Sequence, residues 1–320
     1  MHIQFEAKPP FAAPAPKLAG SIVALATPFR DGSLDLETAA RLCERQIRRG
    51  TAALVVSGST GEAPALSADE QIKLLEVAVE AARGRVPLIA GCSAPATDGA
   101  VELAVAAAQA GAAALLCAPP PYVKPTQEGI AAHVRAVSHA ARLPILLYDV
   151  PGRVGVALSD ETVARLFERG LIIALKDATA DLSRPARLRA LCGDGLVQLS
   201  GDDATAPAHR AMGGHGCISV TANLVPALCA HHHRAWDRGD LSAFGRLRDL
   251  LAPLHQALFL ESNPIPLKAA MSMMRLCAGE LRLPLTRATT GTRDRLATAL
   301  ARAMTFEEEV ASKASVALVH

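Results

Sequence analysis

Eight short apolar runs recur along this chain, and stretches with helical spacing separate them. The runs begin at Ser21, Ala52, Pro87, Ala113, Pro144, Leu171, Leu196 and Gly216. Several of the intervening stretches end at a glycine (Gly50, Gly84 and Gly111), which suits a left-handed cap at the end of a helix. Strands that are apolar throughout and alternate with helices indicate a parallel sheet covered by helices.

Eight such units within about 200 residues favour closure of the sheet into a (β/α)8, or TIM, barrel. An open, doubly wound sheet is the alternative, but no G-x-G-x-x-G follows the first run. After Val220 the pattern becomes wholly helical, from Leu224 to about Met304. We therefore predict an α/β protein in four parts: a flexible arm at 1–17, the barrel at 18–223, C-terminal helices packed on it at 224–304, and a tail at 305–320.

The composition argues against several classes of function. The formal net charge is +2 and the basic residues are scattered, so we expect neither a nucleic-acid nor a membrane partner. The start of the chain is interrupted by prolines and lacks the pattern of a signal peptide. Seven cysteines without a C-x-x-C pair are typical of reduced core thiols, which indicates a cytoplasmic protein.

The ends of the runs hold the candidate catalytic residues, because active sites of such barrels lie at the carboxyl ends of the strands. The sixth run ends in Leu175-Lys176-Asp177. A lysine after an apolar strand is expected to be partly desolvated, which favours its neutral, nucleophilic form. The alternative is a structural ion pair of Lys176 with Asp177 or Asp202.

Two further run ends carry polar groups suited to a small acid. Gly58-Ser59-Thr60 presents hydroxyl and backbone donors to an anion such as the carboxylate of a 2-oxo acid, although an ordinary capped turn has the same composition. The fifth run ends in Tyr148, whose phenol suits proton relay in a water-poor pocket. Arg153 follows in a Pro-Gly turn and suits bidentate carboxylate binding, unless it is a solvated loop residue.

Neither of two possible metal sites has ligand spacing. No histidine follows Asp202 and Asp203 at a suitable distance along the chain, so we expect these aspartates to be structural hydrogen-bond acceptors. The histidines at 231–233 would project about 100° apart on a helix, and they cannot converge on one ion. We predict a solvated helix face there and no bound metal.

Several motifs occur together in one order: G-S-T-G-E at 58–62, Y-D-V-P-G-R at 148–153, L-K-D-A-T at 175–179, S-G-D-D at 200–203, G-C-I-S-V-T-A-N at 216–223 and E-S-N-P-I-P-L-K at 261–268. From about Gly20 to Met304 the chain resembles the dihydrodipicolinate synthase family, within the superfamily of pyruvate-dependent class I aldolases and N-acetylneuraminate lyases. The resemblance implies a lyase that condenses pyruvate with L-aspartate-4-semialdehyde to 4-hydroxy-tetrahydrodipicolinate, in lysine and diaminopimelate biosynthesis. It implies a homo-oligomer, commonly a homotetramer built as a dimer of dimers, and no cofactor, because a protonated imine is itself the electron sink.

The resemblance also implies roles for the matching residues. Lys176 forms an imine with pyruvate, and Tyr148 shuttles protons. Ser59 and Tyr122 complete a hydroxyl relay, with Tyr122 reaching in from a neighbouring subunit. The residues implied for substrate binding are Thr60 and Gly58 at the pyruvate carboxylate, the backbone carbonyl of Ile218, and Arg153 at the carboxylate of the semialdehyde.

Some positions depart from the family pattern, namely Ser59 for the usual Thr, Asp149 for Asn and Val154 for Thr. At the positions where some members bind lysine as an inhibitor, nearly all the expected polar groups are missing, so we predict insensitivity to lysine. Those positions are Ala63, Pro64, Ala68, Gln71, Pro95, Gly99 and Pro121. The alternatives are another pyruvate-dependent lyase, cleaving a sialic acid, a keto-deoxy-sugar acid or a hydroxy-oxo acid, and a non-catalytic metabolite-binding barrel. Arg153 favours the synthase, because the tyrosine motif of those lyases usually lacks the Pro-Gly-Arg turn.

Overall fold

Eight parallel strands close into a barrel in the computed structural model, which describes residue 11 and residues 15–317. Strand 1 pairs with both strand 2 and strand 8, which closes the sheet. In chain order the strands are Gly20–Ala24, Ala53–Val56, Leu88–Gly91, Ala114–Cys117, Ile145–Asp149, Ala174–Asp177, Val197–Ser200 and Gly216–Ser219. The predicted (β/α)8 barrel is therefore confirmed, while the predicted arm at 1–17 lies almost wholly outside the described residues.

Twelve α-helices surround the barrel and follow it in the described part of the chain. Those placed between strands are α1 (Leu36–Arg48), α2 (Ala68–Ala82), α3 (Thr97–Gln109), α4 (Gln127–Ala141), α5 (Pro151–Val154), α6 (Asp160–Glu168), α7 (Arg184–Cys192) and α8 (Ala206–Ala211). After strand 8 come α9 (Pro226–Asp237), α10 (Leu241–Ala257), α11 (Ile265–Met273) and α12 (Thr290–Ala317). Short 3-10 helices lie at Ala63–Ala65, Gly193–Gly195 and Thr221–Asn223, and a two-stranded ribbon joins Phe29–Arg30 to Ser33–Leu34. Within these residues no helix combines the length and apolar character needed to cross a membrane.

The last helix continues past Met304, where the sequence pattern predicts its end. The reason is Glu307, whose buried carboxylate accepts hydrogen bonds from the backbone N–H groups of Ala227 (3.1 Å) and Leu228 (2.9 Å) at the start of α9. Arg49 donates to the same carboxylate at 2.7 Å. A carboxylate satisfies the free amides at a helix start well, so these contacts hold the helix in place beyond Met304. Val310, one turn further on, also packs against the core.

Alternation along the strands decides which side chains face the inside of the barrel. One cluster of buried residues fills the interior and includes Val55, Leu146, Tyr148 and Ile218. Because successive side chains of a strand point to opposite faces, the residues next to these contact the surrounding helices instead. Tyr148 and Lys176 are partners in the register of strands 5 and 6, which places both on the inner face.

The histidine run is not a solvated face, so that prediction was wrong. His232 and His233 are each 4% exposed, and the ring of His232 stacks on Phe244 at 4.3 Å between centroids. Helix α9 packs against strand 1 and α10, which covers two of the three successive positions. Burial lowers the pKa of His232 to about 4 and that of His233 to about 3, so both rings are neutral near pH 7. No cluster of His, Cys, Asp and Glu in the described residues is suited to hold a metal ion.

The buried histidines predict a loss of stability in acid. Their pKa values lie below the ordinary 6.5, so the unfolded chain binds more protons and stability falls as the pH drops below that value. Between about pH 7.5 and about pH 5, each of these rings lowers the free energy of unfolding by about 2 kcal/mol. We expect His233→Gln to remove about this share of the acid-induced decrease in urea unfolding free energy.

His139→Gln is the matched control, because this histidine is exposed on α4. Its unfolding free energy should depend on pH as that of the wild type does. An equal acid sensitivity of His233→Gln and the wild type would contradict the assignment of His233 as a buried neutral ring.

Candidate active site

A cavity of about 370 Å³ opens where the strands end. Its wall comes from the turn after strand 2, the ends of strands 3, 4 and 5, and the segments at 262–263 and 282–285. Gly58, Ser59, Tyr148 and Arg153 line it together. Larger cavities of about 480 and 600 Å³ lie on the outer helices and contain none of the predicted site residues.

Lys176 lies beside Tyr148 inside the barrel. Its side chain is almost fully buried, and its Nζ is 4.0 Å from the centroid of the Tyr148 ring. In the described part of the chain Lys176 makes no ion pair: Asp177 bonds to Thr179 and Arg184, while Asp202 accepts from Thr205. The structural ion pair considered for Lys176 is therefore not observed, and the amine is left for other chemistry.

The turn after strand 2 brings its hydroxyl groups close to the cavity. Ser57 has a positive φ of 54°, and its carbonyl oxygen packs against Gly91, where an added Cβ would lie only 2.0 Å away. A glycine at position 91 is thus required for this close approach. Thr60 does not line the cavity, but its Oγ1 accepts a hydrogen bond from Nδ2 of Asn263 at 2.9 Å.

Two buried polar atoms in the cavity wall have no partner among the described residues. These are Oγ of Ser57 and Oδ1 of Asn263. Buried polar atoms are nearly always hydrogen-bonded in folded proteins, so unpaired ones in a cavity wall indicate places for a bound ligand. The sequence alone gives no sign that Asn263 belongs to this site, because its partner Thr60 lies 203 positions away along the chain.

Arg153 lies at the rim of the cavity, on the short helix α5. Its Nη2 donates to the backbone carbonyl of Asn263 at 2.9 Å, and its side chain remains exposed. A guanidinium has five N–H donors, so this single contact leaves most of them available to a carboxylate. The cavity wall therefore positions Arg153 and leaves most of its N–H donors free to bind a ligand.

Two predicted residues lie apart from this group. Ile218 is buried on strand 8 in the interior cluster that also includes Tyr148. Tyr122 is 93% exposed, has a positive φ of 75° and does not line the cavity of its own chain. One chain thus places Gly58, Ser59, Tyr148 and Arg153 in the cavity wall. Lys176 contacts the ring of Tyr148 but is not itself among the lining residues, and Tyr122 lies apart.

A buried ion pair supports one side of the cavity. Nζ of Lys268 donates to Oε1 of Glu62 at 3.0 Å and to the carbonyl of Thr27 at 2.5 Å. The other oxygen of Glu62 accepts from the backbone N–H of Arg282 at 3.1 Å, which ties the segment at 282–285 to the turn. Burial lowers the pKa of Lys268, and removal of either partner would leave an unpaired buried charge.

The expectation that Asp203 is a structural acceptor is confirmed. Its carboxylate accepts from Oγ of Ser219 at 2.5 Å and from the backbone N–H groups of Val220 (2.8 Å) and Thr221 (3.1 Å). These bonds shape the turn that follows strand 8. Asp202 acts in the same way on the backbone N–H of Thr205, at 3.1 Å.

Known proteins resemble this chain over nearly all of the region just described. The model of the dihydrodipicolinate synthetase family matches residues 17–303. A 4-hydroxy-tetrahydrodipicolinate synthase of Rhodospirillum centenum is 50% identical over 283 residues, covering 88% of this chain and 97% of the relative. That of Bradyrhizobium diazoefficiens is 46% identical over 287 residues, covering 90% and 97%. The solved structure of the chloride-inhibited dihydrodipicolinate synthase of Acinetobacter baumannii, complexed with pyruvate, is 41% identical and has a TM-score of 0.87, covering 90% of this chain and 99% of that one.

Proposed function

Because this chain belongs to the dihydrodipicolinate synthetase family, we propose that it condenses pyruvate with L-aspartate-4-semialdehyde through a Schiff base on Lys176. The chain is a lyase of the 4-hydroxy-tetrahydrodipicolinate synthase type. The observation that carries the proposed mechanism is the buried amine of Lys176, unpaired with any described carboxylate and 4.0 Å from the ring centroid of Tyr148. A buried amine without a counter-ion is suited to nucleophilic attack on a ketone.

The proposed reaction begins with attack of Nζ of Lys176 on the keto carbon of pyruvate. Loss of water gives the imine, and removal of a methyl proton gives an enamine, whose carbon attacks the aldehyde of the second substrate. The amino group of the adduct then attacks the imine carbon, closes the ring and releases the lysine. Tyr148 is the proposed proton carrier, supported by its position beside the amine at the cavity wall.

Two features of the cavity wall support binding of the two carboxylates. The turn Gly58–Thr60 offers hydroxyl and backbone donors at the cavity that Tyr148 also lines, and it is the proposed site of the pyruvate carboxylate. The backbone carbonyl of Ile218, a buried residue of the interior cluster, is a further proposed contact of pyruvate. Arg153, held by the carbonyl of Asn263, is the proposed partner of the semialdehyde carboxylate. The unpaired Oδ1 of Asn263 is a further acceptor for an N–H or O–H group of the substrate.

The exposed Tyr122 supports a homo-oligomer with shared sites. In its own chain its ring is 93% exposed and outside the cavity wall, so the proposed relay from Ser59 through Tyr148 to Tyr122 requires a second subunit. An active monomer in light scattering would refute this shared relay. The proposed assembly is a dimer of dimers.

The deciding assay measures consumption of both substrates by the purified protein. We expect pyruvate and L-aspartate-4-semialdehyde to disappear together, and no turnover of sialic acid, keto-deoxy-sugar acids or hydroxy-oxo acids. Turnover of the cleavage substrates alone would favour another lyase, and the absence of a pyruvate adduct after borohydride treatment would favour a non-catalytic binding barrel.

The role of Arg153 is tested by Arg153→Ala. This variant should raise KM for the semialdehyde much more than KM for pyruvate.

We further expect the steady-state rate to be unaffected by lysine at sub-millimolar concentration. The positions where an inhibitory lysine would bind carry alanine, proline and glycine in all but one case, Gln71. A cationic amino acid loses its hydration on binding and needs charged or polar partners in return. A lysine titration, with arginine at equal concentration as the control for ionic effects, checks this; saturable inhibition specific to lysine would overturn it.

A further inference from the structure

The carboxylates of Asp149 and Asp177 lie next to the proposed catalytic pair. Asp149 follows Tyr148 in strand 5, Asp177 follows Lys176 in strand 6, and the two aspartates are partners in the strand register. Since neighbouring side chains of a strand point to opposite faces, both carboxylates lie outside the barrel wall, while the phenol and the amine lie inside. Two buried negative charges are thus placed side by side behind the reacting groups.

Arg184, the first residue of α7, bridges these carboxylates. It is 3% exposed, and its Nη1 donates to Oδ2 of Asp149 at 2.7 Å and to Oδ2 of Asp177 at 3.3 Å. Its Nε donates to Oδ1 of Asp160 at 2.8 Å, and its Nη2 donates to the carbonyl of Leu158 at 3.0 Å. All three guanidinium nitrogens are bonded, a geometry that the single nitrogen of lysine cannot reproduce.

The remaining partners of the two carboxylates are local. Asp149 accepts from the backbone N–H of Leu158 at 3.2 Å, and Asp177 accepts from the backbone N–H and Oγ1 of Thr179 at 2.8 and 2.6 Å. Among the described residues, Arg184 is the one side chain that bonds to both. Burial raises the pKa of Asp149 even with the guanidinium present. Without it, two buried like charges would repel each other and push the strand ends apart.

We propose that Arg184 is a positioning residue for the imine chemistry, because it holds the strand ends that carry Tyr148 and Lys176 at a fixed spacing. The inference rests on the proposed function of these two residues. Arg184 does not line the cavity, so it acts on the reacting groups only through Asp149 and Asp177. Its loss should therefore slow chemistry at Lys176 and leave binding at Arg153 unchanged.

The test is the rate at which pyruvate becomes trapped on the enzyme by borohydride, measured on the full chain together with kcat and both KM values. Arg184→Gln is expected to lower the trapping rate and kcat by about 10²-fold, since a displacement of about 1 Å between reacting groups has an effect of this size. KM for the semialdehyde should stay within about twofold. Arg184→Lys, which keeps the charge but bonds fewer partners, should be intermediate.

Two further variants separate positioning from general damage to the fold. The double variant Arg184→Gln/Asp149→Asn lacks one of the two facing carboxylate charges. Its rate of pyruvate trapping should therefore be several-fold higher than that of Arg184→Gln alone. Arg187→Gln is the matched control: Arg187 is also on α7 and pairs with Asp160 and Asp181, but it contacts neither Asp149 nor Asp177. It should trap pyruvate at the wild-type rate.

The outcomes distinguish this inference from the proposed function. If the wild type forms no adduct, the Schiff base itself is wrong. If the wild type reacts and folded Arg184→Gln traps pyruvate equally fast, the positioning role is wrong. If Arg184→Gln does not fold, the role is supported by an intermediate rate of Arg184→Lys and overturned by a wild-type rate of that variant.

Discussion

Replacing Lys176 by alanine is expected to abolish turnover, a loss of more than about 10⁴-fold, because a methyl group cannot form an imine. The proposed mechanism passes every covalent intermediate through this nitrogen. Pyruvate and borohydride should then leave no mass increase on the variant, while the wild type gains one reduced pyruvate per chain. Folding should be preserved, since Lys176 makes no ion pair whose partner would be left alone in the described part of the chain.

Lys73→Ala is the control for this experiment, because Lys73 is exposed on α2. It should retain full activity and carry its adduct on Lys176. Peptide mapping of the adduct adds a second criterion. Lys268 also lies close to the cavity wall, where it forms a buried ion pair with Glu62. An adduct on Lys268, or residual turnover of Lys176→Ala near the wild-type rate, would contradict the assignment.

Replacing Tyr148 by phenylalanine is expected to slow turnover by about 10²-fold or more, the usual effect of losing a general acid–base group. Phenylalanine keeps the ring that packs over Nζ of Lys176 and removes only the hydroxyl. The shape of the barrel interior is therefore preserved, and a loss of rate reports proton transfer. The measurement is kcat together with the rate of imine formation.

Tyr148→Ala provides the comparison, since it removes both the hydroxyl and the ring packed against the amine. We expect it to impair imine formation further and to lower stability, because a buried aromatic side chain is lost from the interior cluster. A phenylalanine variant within about twofold of the wild-type rate would exclude the phenol as the proton carrier.

Much of the fold could be predicted because strand and helix periodicities are local properties. The eight apolar runs coincide with the eight strands of the barrel, and the rule that active sites lie at strand ends directs attention to Lys176 and Tyr148. The order of the runs makes strands 5 and 6 neighbours in the barrel, while the register that aligns Tyr148 with Lys176 is seen only in the structure. The family resemblance rests on the same run ends and is confirmed over residues 17–303.

What the sequence could not predict depends on contacts between distant parts of the chain. Asn263 reaches Thr60 and Arg153 from a segment that follows the completed barrel. The burial of His232 and His233 depends on how α9 packs, which the polarity of imidazole does not reveal. The extension of α12 likewise depends on hydrogen bonds from the start of α9 to Glu307, and a charged residue in the sequence does not reveal such a buried contact.

The proposed catalytic residues and part of the cavity wall come from different stretches of chain. Strands 5 and 6 carry Tyr148 and Lys176, whereas the segments at 262–263 and 282–285 follow the completed barrel and form part of the wall. Those later segments carry no proposed covalent role, so they offer a region in which acceptance of longer or bulkier aldehydes can be altered by selection or by directed evolution. Changes confined to those segments would leave the strands that carry the proposed imine-forming lysine as they are.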